Sequence, residues 1–187
     1  MADKQRKATA WDMIRSLAVI MIPILLLTWL LTNNLDDYPV ERVDWRPVAE
    51  NARANVEWPV WAPEGLPEEG RDPWMPSQVR WLRPGDPTVG GGSSPRHHWR
   101  LGYISPDQIY YEINQGDDAL EQFVRDVTRE GRRVGEEPIE GREWERWESH
   151  DGRTRSLVLR DDPTVTMVTA DAAFTDLQQF ARTLQAS

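Results

Sequence analysis

The chain has 187 residues, with 22 Lys and Arg against 31 Asp and Glu, no cysteine and 10 tryptophans. That length suits one domain of roughly 100–150 residues plus a further segment. A net charge of −9 argues against a nucleic-acid partner, since such binding rests on Lys and Arg at phosphates, and the missing cysteines exclude disulfides, thiolate metal sites, cysteine nucleophiles and a Cys-linked lipid.

Residues 1–12 read as a short tail, and residues 13–32 as a single transmembrane helix. The run from Met13 to Thr32 is apolar apart from Arg15 near its start, and roughly 20 helical residues cross a bilayer core of ~30 Å. Pro23 lies inside it, which a membrane helix tolerates better than a soluble one. A buried core helix is the competing reading, but the run has no polar face. Trp11, Arg15 and Trp29 sit where interfacial anchors belong, near the two ends. Lys4, Arg6, Lys7 and Arg15 precede or begin the run, and Asn33, Asn34, Asp36, Asp37 and Glu41 follow it. This asymmetry predicts a cytoplasmic N-terminus and an extracytoplasmic remainder in the plasma membrane, with the bilayer as a partner through residues 13–32. A cleaved signal peptide is disfavoured, because Thr28 to Asn34 lacks a small-x-small cleavage pattern. Residues 1–16 carry four basic and two acidic groups, a net +2, so the remainder carries −11.

Residues 33–43 are polar and read as a tether ahead of an extracytoplasmic domain over 44–187. Asp44 is a candidate N-cap for a helix reaching Asn55, with Val48, Ala49 and Ala52 on one side. Trp58 to Pro67 carries three prolines, which forbid helix and favour a stiff, extended path. Val79 to Leu82 reads as a strand, and Pro84 to Pro95 as a flexible glycine-rich loop without the Lys-Ser/Thr of a phosphate cradle. His98–Ile104 and Ile109–Asn114 form a predicted hairpin across Ser105–Gln108. Asp118 and Glu121 have capping-box spacing ahead of a helix with Leu120, Phe123, Val124 and Val127 on one face, ended by Gly131. Strands follow at Glu143–Ser149, Thr154–Arg160 and Val165–Thr169. Asp171 then caps a last helix through Phe174, Leu177, Ala181 and Leu184. The expected fold class is α+β: an antiparallel sheet of about six strands with two main helices packed against it, behind the transmembrane helix.

Reactive groups are sparse. His97 and His98 are adjacent, so on a strand they face opposite ways and cannot both bind one metal; they read as surface residues at a loop edge. Ser149, His150 and Asp151 are contiguous in a turn, where three side chains cannot stack in relay order. Of the 29 acidic residues after the apolar run, no pair stands out as a glycosidase pair. The sequence therefore predicts a protein that is not an enzyme, with no catalytic, cofactor or metal residues. Its most telling side chains are aromatic: Trp45, Trp58, Trp61, Trp74, Trp81, Trp99, Trp144 and Trp147 all follow the apolar run. Trp81 and Trp99 read as core residues, and Trp144 and Trp147 as opposite faces of one strand. Trp58, Trp61, Pro63, Leu66 and Trp74, in the proline-rich segment, are the expected exposed partner-binding residues.

The pattern Val43-Asp44-Trp45, then Trp58-Pro59-Val60-Trp61-Ala62-Pro63-Glu64-Gly65-Leu66-Pro67, then Trp99-Arg100-Leu101-Gly102-Tyr103-Ile104-Ser105-Pro106 resembles an actinobacterial family of membrane-anchored proteins of unknown function, number 4245 in the domain-of-unknown-function series. The segments around Gly141 and Trp144, Arg155–Val158 and Val165–Ala170 are similar too, so the likeness runs from Val43 nearly to the end. It departs at Gly70-Arg71-Asp72-Pro73-Trp74, where the family pattern sets Gly beside Trp. The resemblance implies a bacterial envelope setting and carries no catalytic residue. The expected function is a non-enzymatic binding or accessory module of a cell-envelope complex. The alternative is a glycan-binding or wall-modifying protein using exposed Trp and carboxylates. A flat aromatic-proline patch would favour a protein partner; Trp and carboxylates gathered in one concavity would favour a glycan.

Overall fold

The computed structural model describes residues 10–33, 41–118 and 120–186, with side chains of the first helix given from Ile14 to Trp29. The chain divides into two compact units, Met1–Val40 and Glu41–Ser187.

In the first unit, helix α1 runs Ala10–Asn33, beginning before the expected Met13, with Pro23 inside it. Its apolar side chains are solvent-exposed all round, from Ile14 at 58% through Val19 at 69% to Trp29 at 63%. Thr28 Oγ1 donates to Ile24 O at 2.8 Å, so its hydroxyl is satisfied within the helix. Arg15 is exposed, whereas the side chain of Trp11 lies outside the described residues, as do residues 1–9 and the tether segment 34–40. Among the described residues no helix is long and apolar enough to cross a membrane.

The second unit opens with Glu41–Trp45 laid against the domain: Val43 N–H donates to Pro76 O at 2.9 Å, and Arg42 to Glu68 O. The last part of the expected tether thus belongs to the domain. Helix α2 follows at Arg46–Arg53, shorter than expected because Pro47 fixes its first turn. Its N-cap is Trp45, and Asp44 Oδ1 accepts the Arg46 N–H at 3.3 Å from one place earlier.

Strands β2 (Met75–Leu82), β3 (His98–Ile104), β4 (Tyr110–Gly116), β5 (Arg132–Ile139), β6 (Arg142–Glu148), β7 (Arg155–Asp161) and β8 (Thr164–Ala170) form one antiparallel sheet, in the order β2-β3-β4-β8-β7-β6-β5. A separate pair joins β1 (Trp61–Pro63) to β9 (Leu184–Ala186). The main sheet has one strand more than the expected six, β5. It is an edge strand in which Ile139 alone is fully buried, so no apolar alternation marks it.

Helices α3 (Leu120–Val127) and α4 (Phe174–Ala181) complete the domain. Helices lie on both faces of the sheet. Ala49 and Ala52 of α2 and Leu177, Phe180 and Ala181 of α4 share a core with Trp99, Leu101, Tyr103, Leu157 and Val168. Phe123 and Val124 of α3 pack with Val158, Val165 and Met167, which alternate along the same strands and face the other way. Trp144 is in the first core, and Trp147 borders the second, as their spacing requires.

The predicted helix ends also differ. Left-handed residues after α3 are Arg129 and Glu130 rather than Gly131. Gly131 is needed for space, since a Cβ there would lie 2.9 Å from both Glu148 O and Thr128 O. Glu121 pairs with Arg160 at 2.8 Å. The cap of α4 is Ala173; Asp171 instead accepts Thr154 Oγ1 at 2.5 Å. Leu184 belongs to β9, not to the helix.

Candidate functional site

The sheet register assembles a site at one end of its central strands. His98 pairs with Gly116, Gly116 with Val165, and Val165 with Arg160. One step further along the same row come His97, Asp117, Thr164 and Asp161, contributed by β3, β4, β8 and β7 or their immediate ends. The loop leaving α2, Asn55 to Pro59, folds beside this row. Together they line a concavity of about 580 Å³, with Asp162 and Pro163 of the β7–β8 turn completing the wall.

Asp117 organises the chemistry. Its Oδ1 accepts the His97 backbone N–H at 3.0 Å, and its Oδ2 lies 2.6 Å from His97 Nδ1 and accepts Trp58 Nε1–H at 3.3 Å. The His97 ring stacks on Trp81 with centroids 5.6 Å apart and planes at 9°. A carboxylate on Nδ1 selects the tautomer with Nδ1 protonated, which leaves the Nε2 lone pair as an acceptor for a ligand hydroxyl or ammonium. Thr164 Oγ1 donates to Asp161 O at 3.0 Å, so it is not placed as a nucleophile for His97. Asp161 is held by Arg142 at 2.6 Å. Among the described residues, no three His, Asp or Glu side chains stand where one metal ion could bind.

The expected partner-binding residues lie elsewhere. Trp58 is 9% and Trp61 7% exposed, Pro63 is buried, and Leu66 and Trp74 pack on the main core. Trp74 meets Tyr111 and Phe180 at 5.1 and 5.3 Å, and its N–H donates to Pro67 O at 2.7 Å. That bond sets the path of the Gly70–Trp74 loop. The exposed aromatic-proline patch is therefore not formed. Proline-rich backbone lacks donors for a sheet, but its tryptophans still gain by burial, and here the segment became a lid on the core. Of these residues only Trp58 lines the concavity. Asp117, Asp161 and Asp162 also line it, and no spacing in the sequence sets them apart. The signal that could have found Asp117 is the hairpin register, which sets it opposite His97.

His97 and His98, expected at the surface, are both partly buried. His97 is the oriented ring just described. His98, on the opposite face, has Nε2 2.9 Å from Asn114 Oδ1 and its ring edge-on to Phe123. Burial, aided by nearby Arg100, Arg96 and Arg80, outweighs the Asn114 bond and pushes its pKa down to about 4. The folded chain therefore holds fewer protons than the unfolded chain between the ordinary 6.5 and about 4. Stability is complete above pH 6.5 and falls on acidification. Between pH 6.5 and about 5 the loss should be about 2 kcal/mol, at ~1.4 kcal/mol per pH unit. Urea unfolding at both pH values should show it, and the His98→Gln variant should have the shallower dependence; matching slopes would refute the assignment. In the Ser149–Asp151 turn, Ser149 Oγ donates to Asp151 Oδ1 at 2.6 Å and accepts Thr154 N–H at 3.0 Å, a turn-closing role.

Residues 6–184 match the family described as "Protein of unknown function (DUF4245)". The chain belongs to the DUF4245 family. No curated protein matches it. Among solved structures, the complex of Pseudomonas aeruginosa MucA/MucB is similar at 15% identity and a TM-score of 0.36, over 68% of this chain and 35% of that one. The chain thus spans about a third of the length of that structure's chain. The DUF4245 match encloses every residue of the His97–Asp117 concavity.

Proposed function

We propose that this protein is a single-pass, membrane-anchored binding module that displays its α+β domain outside the cytoplasm as a non-enzymatic accessory of the cell envelope. The observation that carries the anchor is the uniform exposure of Ile14, Leu17, Val19, Ile20, Ile22, Ile24, Leu25, Leu26, Leu27 and Trp29 on a helix with no polar side. Such a surface is stable in lipid and costly in water. The described side chains alone are fewer than the roughly 20 that a span takes, and Met13 and Leu30–Thr32 extend the apolar run in sequence. The basic residues before the run support an N-terminus in the cytoplasm. The binding role draws on the concavity beside His97, Asp117 and Trp58, which suits a small ligand better than the flat patch a protein partner would need.

The test uses the full chain in intact bacterial cells. It should stay with membranes through alkaline carbonate washing, and external protease should digest it beyond Asn34. Release by carbonate would remove the anchor, and full protection from protease would reverse the orientation.

A further inference from the structure

We infer that the concavity beside His97 binds a saccharide of one or two sugar rings. The inference rests on the reading of the domain as a binding module and names the class of its ligand. A sugar ring presents an apolar C–H face and a rim of hydroxyl donors, so its site needs flat apolar surface beside fixed acceptors. Both are here. Pro59, Pro163 and the edge of Trp58 supply apolar surface, and the volume, about 580 Å³, lies within the ~300–1,000 Å³ of small-molecule sites. In its Nδ1-protonated tautomer His97 supplies an acceptor at Nε2, with its ring held from two sides by Asp117 and by the Trp81 stack. That double hold means little ordering cost when a hydroxyl docks.

The wall carboxylates sharpen the class. Asp117 already accepts three hydrogen bonds, and Asp161 is paired with Arg142. They therefore act as positioned acceptors with spare lone pairs, not as bare charge awaiting a cation. Asn55 donates through Nδ2 to Asn51 O at 2.7 Å, which fixes its amide and turns the carbonyl oxygen into another acceptor. Acceptors outnumber donors around an apolar floor, and a neutral polyhydroxylated ring matches that inventory.

The test is calorimetric titration of the full chain in lipid nanodiscs, without sugar-headed detergents. The probes are N,N′-diacetylchitobiose and cellobiose, with cadaverine as a cationic comparator. Saturable binding of at least one disaccharide is expected. It should weaken by roughly tenfold in His97→Phe, which keeps the stack on Trp81 but loses the acceptor, and fall also in Asp162→Asn, a turn-residue change. Near-ultraviolet circular dichroism of both variants should match the parent. Saturation by cadaverine alone would overturn the saccharide class and leave the site a binding site. No response to either probe class would overturn both. Disaccharide binding that survives unchanged in both variants would place the site elsewhere and overturn the inference.

Discussion

The Trp99→Ala variant should lose about 3–5 kcal/mol, a large share of the ~5–15 kcal/mol that holds a domain of this size. Trp99 lies on β3 with no exposed surface, inside the core shared by α2 and α4. Its Nε1 donates to Trp61 O at 2.9 Å, so the ring both fills the core and holds the incoming β1 strand. Truncation to Ala leaves a cavity too well framed to collapse, and it deletes that bond. Trp99→Phe retains most of the volume and should lose only about 1–2 kcal/mol. Urea unfolding of the two variants should separate the packing and hydrogen-bond parts. A loss below about 1 kcal/mol for the alanine variant would show that the core does not depend on this ring.

Gln115→Leu should be nearly as damaging, at about 2–4 kcal/mol, for a different reason. Gln115 is wholly buried on β4, where its Oε1 accepts the Trp61 N–H at 3.1 Å and its Nε2 donates to Pro59 O at 2.9 Å. One amide thus satisfies two backbone groups of a proline-interrupted segment. Leucine matches its bulk but leaves both groups without partners. Hydrogen exchange at the Trp61 amide should accelerate well beyond the global change, because that amide loses its acceptor. Unaltered protection of that amide would contradict this account.

The legible part of the fold was the part written in alternation or in short β-rich runs. In the β3–β4 hairpin Trp99, Leu101, Tyr103, Tyr111 and Ile113 fall at every second place, β6–β7–β8 show instead as short runs rich in aromatic and branched residues, and the observed ends of all five strands fall within a residue or two of those expected. Strand β5 was hidden because Arg132, Arg133 and Glu136 are exposed on an edge. The helix caps were misplaced because Asp44 and Asp171 were free to bond elsewhere, one to Arg46 and the other to Thr154. The tryptophans of the proline-rich segment misled for a similar reason. Proline says that a segment is extended, not which side of it faces water, and burial depended on Gln115 more than fifty positions away. The candidate site was the least visible. His97 and Asp117 meet through a register between two strands, and no local spacing encodes that meeting.

The pairing of Trp61 with Ala186 sets an order on assembly. All seven strands of the main sheet lie between those two positions, so they are synthesised before β1 can find its partner. Contacts this distant in sequence form late, because the chain between them must first lose its freedom. A polypeptide halted between Ala170 and Leu184 has every strand of its main sheet and no clasp. The segment that walls the His97 concavity, Trp58 and Pro59, runs directly into that clasp. In a chain made amino end first, the pocket is the last thing to be finished.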